Sequence, residues 1–371
     1  MRIGTISLNI NAPDFNYGAI LHSWAFQQYL LKLPKVESTE IIDYTMPVLE
    51  EQDLQHPLLN SVLHFHPKTF IKLLPRIIKY HKRLKKFNEF INNHMQVSSV
   101  KYYQKTLDEA VLDYDTMICE SDVIWSPGFC GGHFDKAFFL DLKSARSMNR
   151  IAYAPSMANG DLNDSQKNEI TELLKCLNHI SARETYEVEV LKAYTNKPVQ
   201  HVLDPVLLLN ADDYKEIIAE RLVTEEYLLL YLPVDDNLEL RHAAYAFANK
   251  NNLKVVEICT NLKVTNKSIT TYTSAGVEEF LSLIKYAKYV FTNSFHAICF
   301  SVLFNIQFYA FSRNFSGKVR DICQVFGLED YYFEDDIFIE RELIKYETVN
   351  KRLFELKMNS VEWLGKALGI Q

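Results

Sequence analysis

The sequence has no CxxC pair and no cysteine–histidine spacing of the kind that holds a metal. Its six cysteines, at 119, 130, 176, 259, 299 and 323, are scattered. Cys119, Cys259 and Cys299 fall in apolar segments, where a thiol acts as a small hydrophobe, so a reduced compartment is expected. No apolar run reaches the ~18 residues of a membrane span. The chain enters a strand at once, without the pattern of a signal peptide. Positive charge is not in excess: the formal net charge is −7, which argues against general nucleic-acid binding. The GxGxxG fingerprint of dinucleotide sites is missing, as are a glycine-rich phosphate loop, internal repeats and low-complexity segments. What is there is 371 residues, 48% hydrophobic and 23% charged. That is the profile of a cytoplasmic enzyme or binding protein of about two domains.

One stretch lacks acidic side chains. Residues 54–88 hold no Asp or Glu and eight basic residues: Lys68, Lys72, Arg76, Lys79, Lys82, Arg83, Lys85 and Lys86. With −7 overall and +8 here, the rest of the chain carries about −15. Leu73, Leu74, Ile77, Ile78, Leu84 and Phe87 alternate with these charges at near-helical spacing. This predicts a basic amphipathic helix in an insertion at 54–96. It is either a solvated face or a patch for anionic lipid head groups.

The most telling stretch is 288–311, KYVFTNSFHAICFSVLFNIQFYAF. Residues 289–292 read as a buried strand. Asn293 and Ser294 are N-cap types, and 297–304 is apolar on every face, so they open a buried helix. Asn305 ends it and 306–311 returns as a strand, giving a strand–helix–strand unit of a parallel sheet. His296 lies in the first helical turn, where unpaired N–H groups and roughly half a positive charge favour an anion. There it either caps or packs, or it binds an anion and moves a proton.

Around this unit strands and helices alternate. Strands are expected at 2–8, 40–44, 115–120, 150–155, 179–182 and 200–203, with helices at 19–33, 166–177 and 184–194. A polar link at 210–226 precedes strands at 227–232 and 254–259 and helices ending at 250, 286 and 326. An amphipathic tail, 339–368, is expected to break near Asn359. The pattern predicts an α/β protein of two Rossmann-like doubly wound domains facing each other across a cleft, at 1–215 and 216–340. The helices of 341–371 are expected to pack back on the cleft. Polar residues at strand ends are the site candidates. Asp14 and Asn16 either bind hydroxyl groups or shape a turn. Asp122 either serves hydrogen bonding and proton transfer or shapes the turn before Pro127. Arg183, at a strand-to-helix junction, either clamps an anion or pairs with a neighbouring carboxylate. Arg313, Lys318 and Arg320 lie in and after the loop that follows the central unit.

Several motifs together resemble the polysaccharide pyruvyl transferase family: NYGAILHSWAFQQYL (16–30), YDTMICESDVIWSP (114–127), FFLDL (138–142), RIAYAPSM (150–157), SARE (181–184), HVLDPVLLL (201–209), FTNSFHAICFSVLFNIQFYAF (291–311) and FGLED (326–330), in that order. The resemblance implies a fold similar to the glycosyltransferase B architecture. It implies transfer of a pyruvyl group from phosphoenolpyruvate to two hydroxyls of a sugar, giving a cyclic ketal. The donor would be held by residues matching Arg183, Ser294, His296 and either Lys318 or Arg320, consistent with its phosphate and carboxylate. His296 or Asp122 would be the general acid, and Asp14, Asn16 and Asp122 would present the acceptor. No metal or other cofactor is expected, because cations and a helix dipole cover the charge of the co-substrate. Three departures stand out. The family often has Gly-Ser-Asp-Gln-Val-Trp where this chain has Glu120-Ser121-Asp122-Val123-Ile124-Trp125. It often has Ser-Arg where this chain has Gly317-Lys318, and a lysine where this chain has Thr185.

On this reading the acceptor is a galactose-type sugar in a lipid-linked precursor of a capsule or exopolysaccharide. The Lys68–Lys86 segment would then make a peripheral contact with the inner face of the cell membrane, and nucleic acid is not a partner. Two rivals remain. A nucleotide-sugar glycosyltransferase of the same fold would need a diphosphate cradle. A non-catalytic sugar-binding relative would lack the donor residues.

Overall fold

Parallel strands buried on both faces require near-continuous apolar runs, and the central strands of this chain have them. The computed structural model describes residues 1–8, 10–11, 16–50, 67–158, 161–234, 238–259, 269–312, 317–334 and 338–370, with backbone alone at 67–73. Its first half contains β1 (Arg2–Ile6), α1 (Tyr17–Leu31), β2 (Ser38–Thr45), α2 (Pro67–His94), β3 (Val97–Tyr103), α3 (Gln104–Asp108), β4 (Thr116–Glu120) and β5 (Asn149–Tyr153). It ends with α4 (Asp164–Leu173), β6 (His179–Ala182), α5 (Thr185–Lys192) and β7 (Val199–His201). These strands form one seven-stranded sheet in the order β3-β2-β1-β4-β5-β6-β7, every pair parallel.

The second half contains β8 (Tyr227–Tyr231), α6 (Leu238–Lys250), β9 (Lys254–Ile258), β10 (Thr270–Tyr272), α7 (Val277–Lys285), β11 (Tyr289–Thr292), α8 (Phe295–Phe304), β12 (Gln307–Phe311), α9 (Gly317–Phe326), β13 (Tyr332–Phe333) and α10 (Tyr346–Leu368). Its six-stranded parallel sheet runs β10-β9-β8-β11-β12-β13. The expected pair of doubly wound α/β domains is therefore present. In each sheet the winding reverses between two central strands, β1 and β4 in the first and β8 and β11 in the second. Open α/β sheets bind ligands at the carboxyl ends of such strands.

The domains meet over an apolar core to which both contribute. Tyr17 and Trp24 of α1 pack into the cluster that holds Phe280 and Phe300 of the second domain. The Tyr17 ring stacks on Phe280 at 4.4 Å, and its hydroxyl donates to the Ala275 carbonyl. Helix α2 connects β2 to β3 and also braces this junction. Its buried Arg83 donates to the Tyr17 hydroxyl at 2.6 Å, and Lys86 donates to both oxygens of Glu279 at 2.6 Å. These two cations are therefore turned inward, whereas Lys82 and Lys85 are exposed beside Leu74 and Ile78. The side chains of Lys68 and Lys72 lie outside the described residues.

Helix α10 returns from the second domain to the first. Leu364, Ala367 and Leu368 pack with Ile118, Ile151 and Tyr153, and the Ser360 hydroxyl accepts from the Leu203 N–H. The expected break near Asn359 does not occur. Asn359 is exposed on a continuous helix, where asparagine costs only a few tenths of a kcal/mol.

Candidate active site

The first domain brings its polar groups to the end of β4 through a constrained turn. Ser121 and Asp122 have φ of 42° and 55°, and Ala154 after β5 has 55°. For side chains other than glycine, such conformations cost of order 1–3 kcal/mol each and persist only where the surroundings hold them. Here the Ser121 N–H donates to the Tyr153 carbonyl at 2.8 Å and the Ser156 N–H to that of Asp122 at 2.9 Å. The turn places Asp122 beside His22 of α1, with Oδ2 3.8 Å from Nε2. The other nitrogen of His22 sits 2.8 Å from Glu120 Oε2, and Ser23 donates to Glu120 Oε1 at 2.6 Å. His22 and Glu120 are both fully buried.

Arg183, just past β6, is buried with them. Its Nε donates to Glu184 at 2.8 Å and its Nη1 to Asp204 Oδ2 at 3.4 Å, and its guanidinium lies 4.3 Å from the centre of the Phe295 ring. Asp204 follows β7 and also accepts from the Ser121 hydroxyl at 2.7 Å. The second domain contributes His296 in the first turn of α8, with Nε2 3.6 Å from Asp204 Oδ2. That approach needs a glycine opposite: a Cβ at Gly18 would fall 2.5 Å from His296 Cε1. Half-buried Lys318, on α9, completes the group from the same side. The junction is clasped by Asp321, whose carboxylate accepts from the Thr185 N–H at 3.1 and 3.2 Å and from its hydroxyl.

The electrostatics follow from this crowding. Burial pushes Asp204 up, but His296, Arg183 and His22 outweigh it and hold the carboxyl well below the usual range. Asp122 is likewise pulled down against its burial, by His22, Arg183, His296 and Lys318. Burial lowers His296, and Asp204 only partly restores it. Lys318 is lowered by burial and then by Arg183. For His22, burial works downward, but the carboxylates of Glu120, Asp122 and Asp204 carry it above the ordinary histidine value. Burial raises Glu120 as well. Geometry favours the proton of that pair on the imidazole, because Glu120 accepts a second hydrogen bond from Ser23 and the Asp122 carboxylate lies 3.8 Å from the other ring nitrogen. Among the described residues three buried nitrogens of this cluster have no hydrogen-bond partner: His22 Nε2, Arg183 Nη2 and His296 Nε2.

The sequence matches the family model for polysaccharide pyruvyl transferase over residues 16–314. The chain belongs to that family. It is accordingly a transferase. No curated protein sequence matches it. Among solved structures, S. aureus MnaA with UDP superposes with a TM-score of 0.51 at 10% identity, covering 100% of this chain and 97% of that one. UDP-GlcNAc 2-epimerase from Methanocaldococcus jannaschii gives 0.46 at 13% identity, with 95% and 92% covered. E. coli ADP-heptose LPS heptosyltransferase II gives 0.40 at 12%, with 97% and 100% covered. At such identities the likeness concerns the fold alone. This pyruvyl transferase family member shares its fold of two parallel α/β sheets with MnaA.

Of the residues singled out in the sequence, Asp122, Arg183, His296 and Lys318 come together. Ser294 lies at the edge of the group, its hydroxyl accepting from the Ala297 N–H as the cap of α8. Arg320 does not join them. It is exposed and pairs with Glu334 beside Tyr332, around a surface cavity of about 320 Å³. Asn16 is exposed and caps α1 by accepting from the Ala19 N–H at 3.3 Å. Asp14 and Arg313 lie outside the described residues. Sequence reasoning assigned no role to His22 or Asp204 and noted Glu120 only as a departure. A signal existed for one of them, since His22 and Ser23 interrupt an otherwise apolar turn of α1.

Proposed function

We propose that the interdomain cluster transfers a pyruvyl group from phosphoenolpyruvate to two hydroxyls of a sugar. The observation that carries this reading is the pair of unpartnered buried nitrogens, Arg183 Nη2 and His296 Nε2, beside Asp204, with the Lys318 ammonium near them. A ligand with a phosphate and a carboxylate supplies acceptors for such donors. Arginine binds either group with a planar fork, and the N-terminus of α8 adds partial positive charge at His296.

In this scheme Arg183, His296 and Lys318 hold the donor. Protonation of its methylene carbon makes C2 electrophilic, a sugar hydroxyl attacks C2, and a second hydroxyl closes the ketal as phosphate leaves. Ionised Asp122, held low by its cations, orients the sugar hydroxyls or accepts their protons. No metal takes part in the scheme, so activity should survive EDTA.

A lipid-linked, galactose-type acceptor for a surface polysaccharide remains part of the proposal. Its support is the exposed side of α2, where Leu74 and Ile78 neighbour Lys82 and Lys85. Such a face suits an anionic bilayer surface. Cosedimentation with anionic but not neutral vesicles tests that contact.

The main test is phosphate release from phosphoenolpyruvate, with and without a panel of galactose- and mannose-type acceptors. Acceptor-dependent release that falls ~10²-fold or more in Arg183→Ala and His296→Ala is expected. No release, with no thermal stabilisation by phosphoenolpyruvate, would overturn the donor assignment.

A further inference from the structure

The scheme leaves the proton source open, and the cluster holds a group built for that task. His22 is fully buried, and its two ring nitrogens are treated differently. Nδ1 is fixed by Glu120 Oε2 at 2.8 Å, and Glu120 is itself fixed by the Ser23 hydroxyl at 2.6 Å. Nε2 has no hydrogen-bond partner; its nearest carboxylate oxygen is Asp122 Oδ2 at 3.8 Å. A carboxylate on one nitrogen sets the tautomer and orientation of the ring and leaves the other nitrogen to the substrate. The ring also faces that of His296 across the domain junction, 6.1 Å between centres and 21° from parallel.

We propose that His22 is the general acid of pyruvyl transfer and that Glu120 is its positioning residue. The inference rests on the donor reading above. The Nε2–H bond breaks as a C–H bond forms at the donor methylene, with the C2=C3 electron pair supplying the new bond. C2, left electron-poor and stabilised by its ester oxygen, is attacked by the first sugar hydroxyl. The proton lost by that hydroxyl restores His22, by way of Asp122. The second hydroxyl displaces phosphate, and its proton leaves with the phosphate. One hydrogen enters the methyl group and one leaves on phosphate, so the enzyme ends the cycle in the state in which it began.

Every charged group facing His22 bears on its protonation. Glu120 and Asp122 from the end of β4 and Asp204 after β7 favour the imidazolium, while burial and His296 from α8 oppose it. Glu120 is the nearest, so it is the group to change. Glu120→Gln keeps the shape and removes the charge, which should lower the His22 titration midpoint by ~1–3 pH units.

The experiment combines NMR titration of His22, assigned through its loss in His22→Gln, with phosphate-release kinetics. Wild type should hold His22 as imidazolium at neutral pH. His22→Gln should lower kcat by ~10²–10⁴-fold while the KM for phosphoenolpyruvate and the thermal shift it induces stay unchanged. Glu120→Gln should move the alkaline limb of the rate profile to lower pH by the same amount as the NMR midpoint, which a merely structural residue would not do. Wild-type kcat in His22→Gln, or an unmoved alkaline limb in Glu120→Gln, overturns the acid role alone. A His22→Gln variant that loses the phosphoenolpyruvate thermal shift also overturns it, making His22 a binding or folding residue. A wild-type protein that neither binds nor turns over phosphoenolpyruvate overturns the donor reading and the acid role together.

Discussion

Gly18→Ala tests whether the two domains must hold His296 where the structure has it. In an isolated helix this change stabilises by ~0.5–1 kcal/mol, because alanine loses less backbone freedom on folding. Here the new Cβ would lie 2.5 Å from His296 Cε1 and 2.6 Å from Cγ, where ordinary contact begins at 3.4 Å. The imidazole must back away by about 1 Å, and a misplacement of that size costs ~10²-fold in rate. Overpacking of ~1–3 kcal/mol then offsets the helix gain, so the melting temperature should move by only a few degrees. We expect kcat/KM for phosphate release to fall ~10²-fold with the fold intact. The decisive comparison is a double-mutant cycle. Once His296→Ala has removed the ring, Gly18→Ala should cost little more, because both substitutions act through the same side chain. Full activity in Gly18→Ala, or an undiminished loss in the His296→Ala background, would refute the reasoning.

Lys318→Ala should raise the KM for phosphoenolpyruvate about tenfold or more, as loss of a charge-assisted contact does. Arg320→Ala should change it less than about twofold, because Arg320 pairs with Glu334 on the surface; initial-rate kinetics on the two variants separate the cations. Glu187 is buried beside Glu184, its pKa raised well above the usual carboxyl range first by burial and then by that neighbour. The native state therefore keeps a proton that the unfolded chain has lost, and stability falls as pH rises above the unfolded value, by at most ~1.4 kcal/mol per pH unit. Glu187→Gln should remove that fall, so its advantage in melting temperature should grow from about pH 5 to pH 8; parallel curves would contradict the shift. Asp321→Ala should cost ~0.5–2 kcal/mol, as loss of a helix cap does. A melting temperature unchanged by Asp321→Ala would mean that the Thr185 clasp adds nothing to the domain junction.

The strands that proved legible were those buried on both faces, where the apolar run alone marks the element. Residues 179–182 and 289–292 were bounded as they occur. Of the four edge strands only β7, expected at 200–203 and found at Val199–His201, was legible. β3 (VSSVKYY) is half exposed and interrupted by Ser98, Ser99 and Lys101, so it shows no apolar run. β10 and β13 have three and two residues, too few to carry a period. At the site, Asp122 and Arg183 stood out because each lies just past a strand, and His296 because it lies in the first turn of a buried helix. His22 and Asp204 acquire meaning only from partners far along the chain: Glu120 lies 98 residues from His22. Lys318 and Arg320 were indistinguishable by type and spacing. Helix phase separates them, since residues two apart on a helix point about 200° from one another. One faces the junction and the other faces solvent.

The resting arrangement explains how so many charges can lie buried at one junction. An isolated buried ion costs several kcal/mol, and only pairing offsets that. Arg183 remains ionised because Glu184 and Asp204 take two edges of its guanidinium. Asp204 in turn stands between Arg183 and Ser121 of its own domain and His296 of the other. The same carboxylates that make the charges tolerable also fix their directions, so Arg183 Nη2 and the two Nε2 atoms are left over rather than merely nearby. Donors fixed in this way need little reorganisation when an anion arrives, which is where most of the catalytic advantage of a polar site originates. His22, Arg183 and Asp204 are themselves closed off from solvent, so a bound anion would meet these nitrogens in a dry site, where a charge-assisted hydrogen bond is stronger than in water.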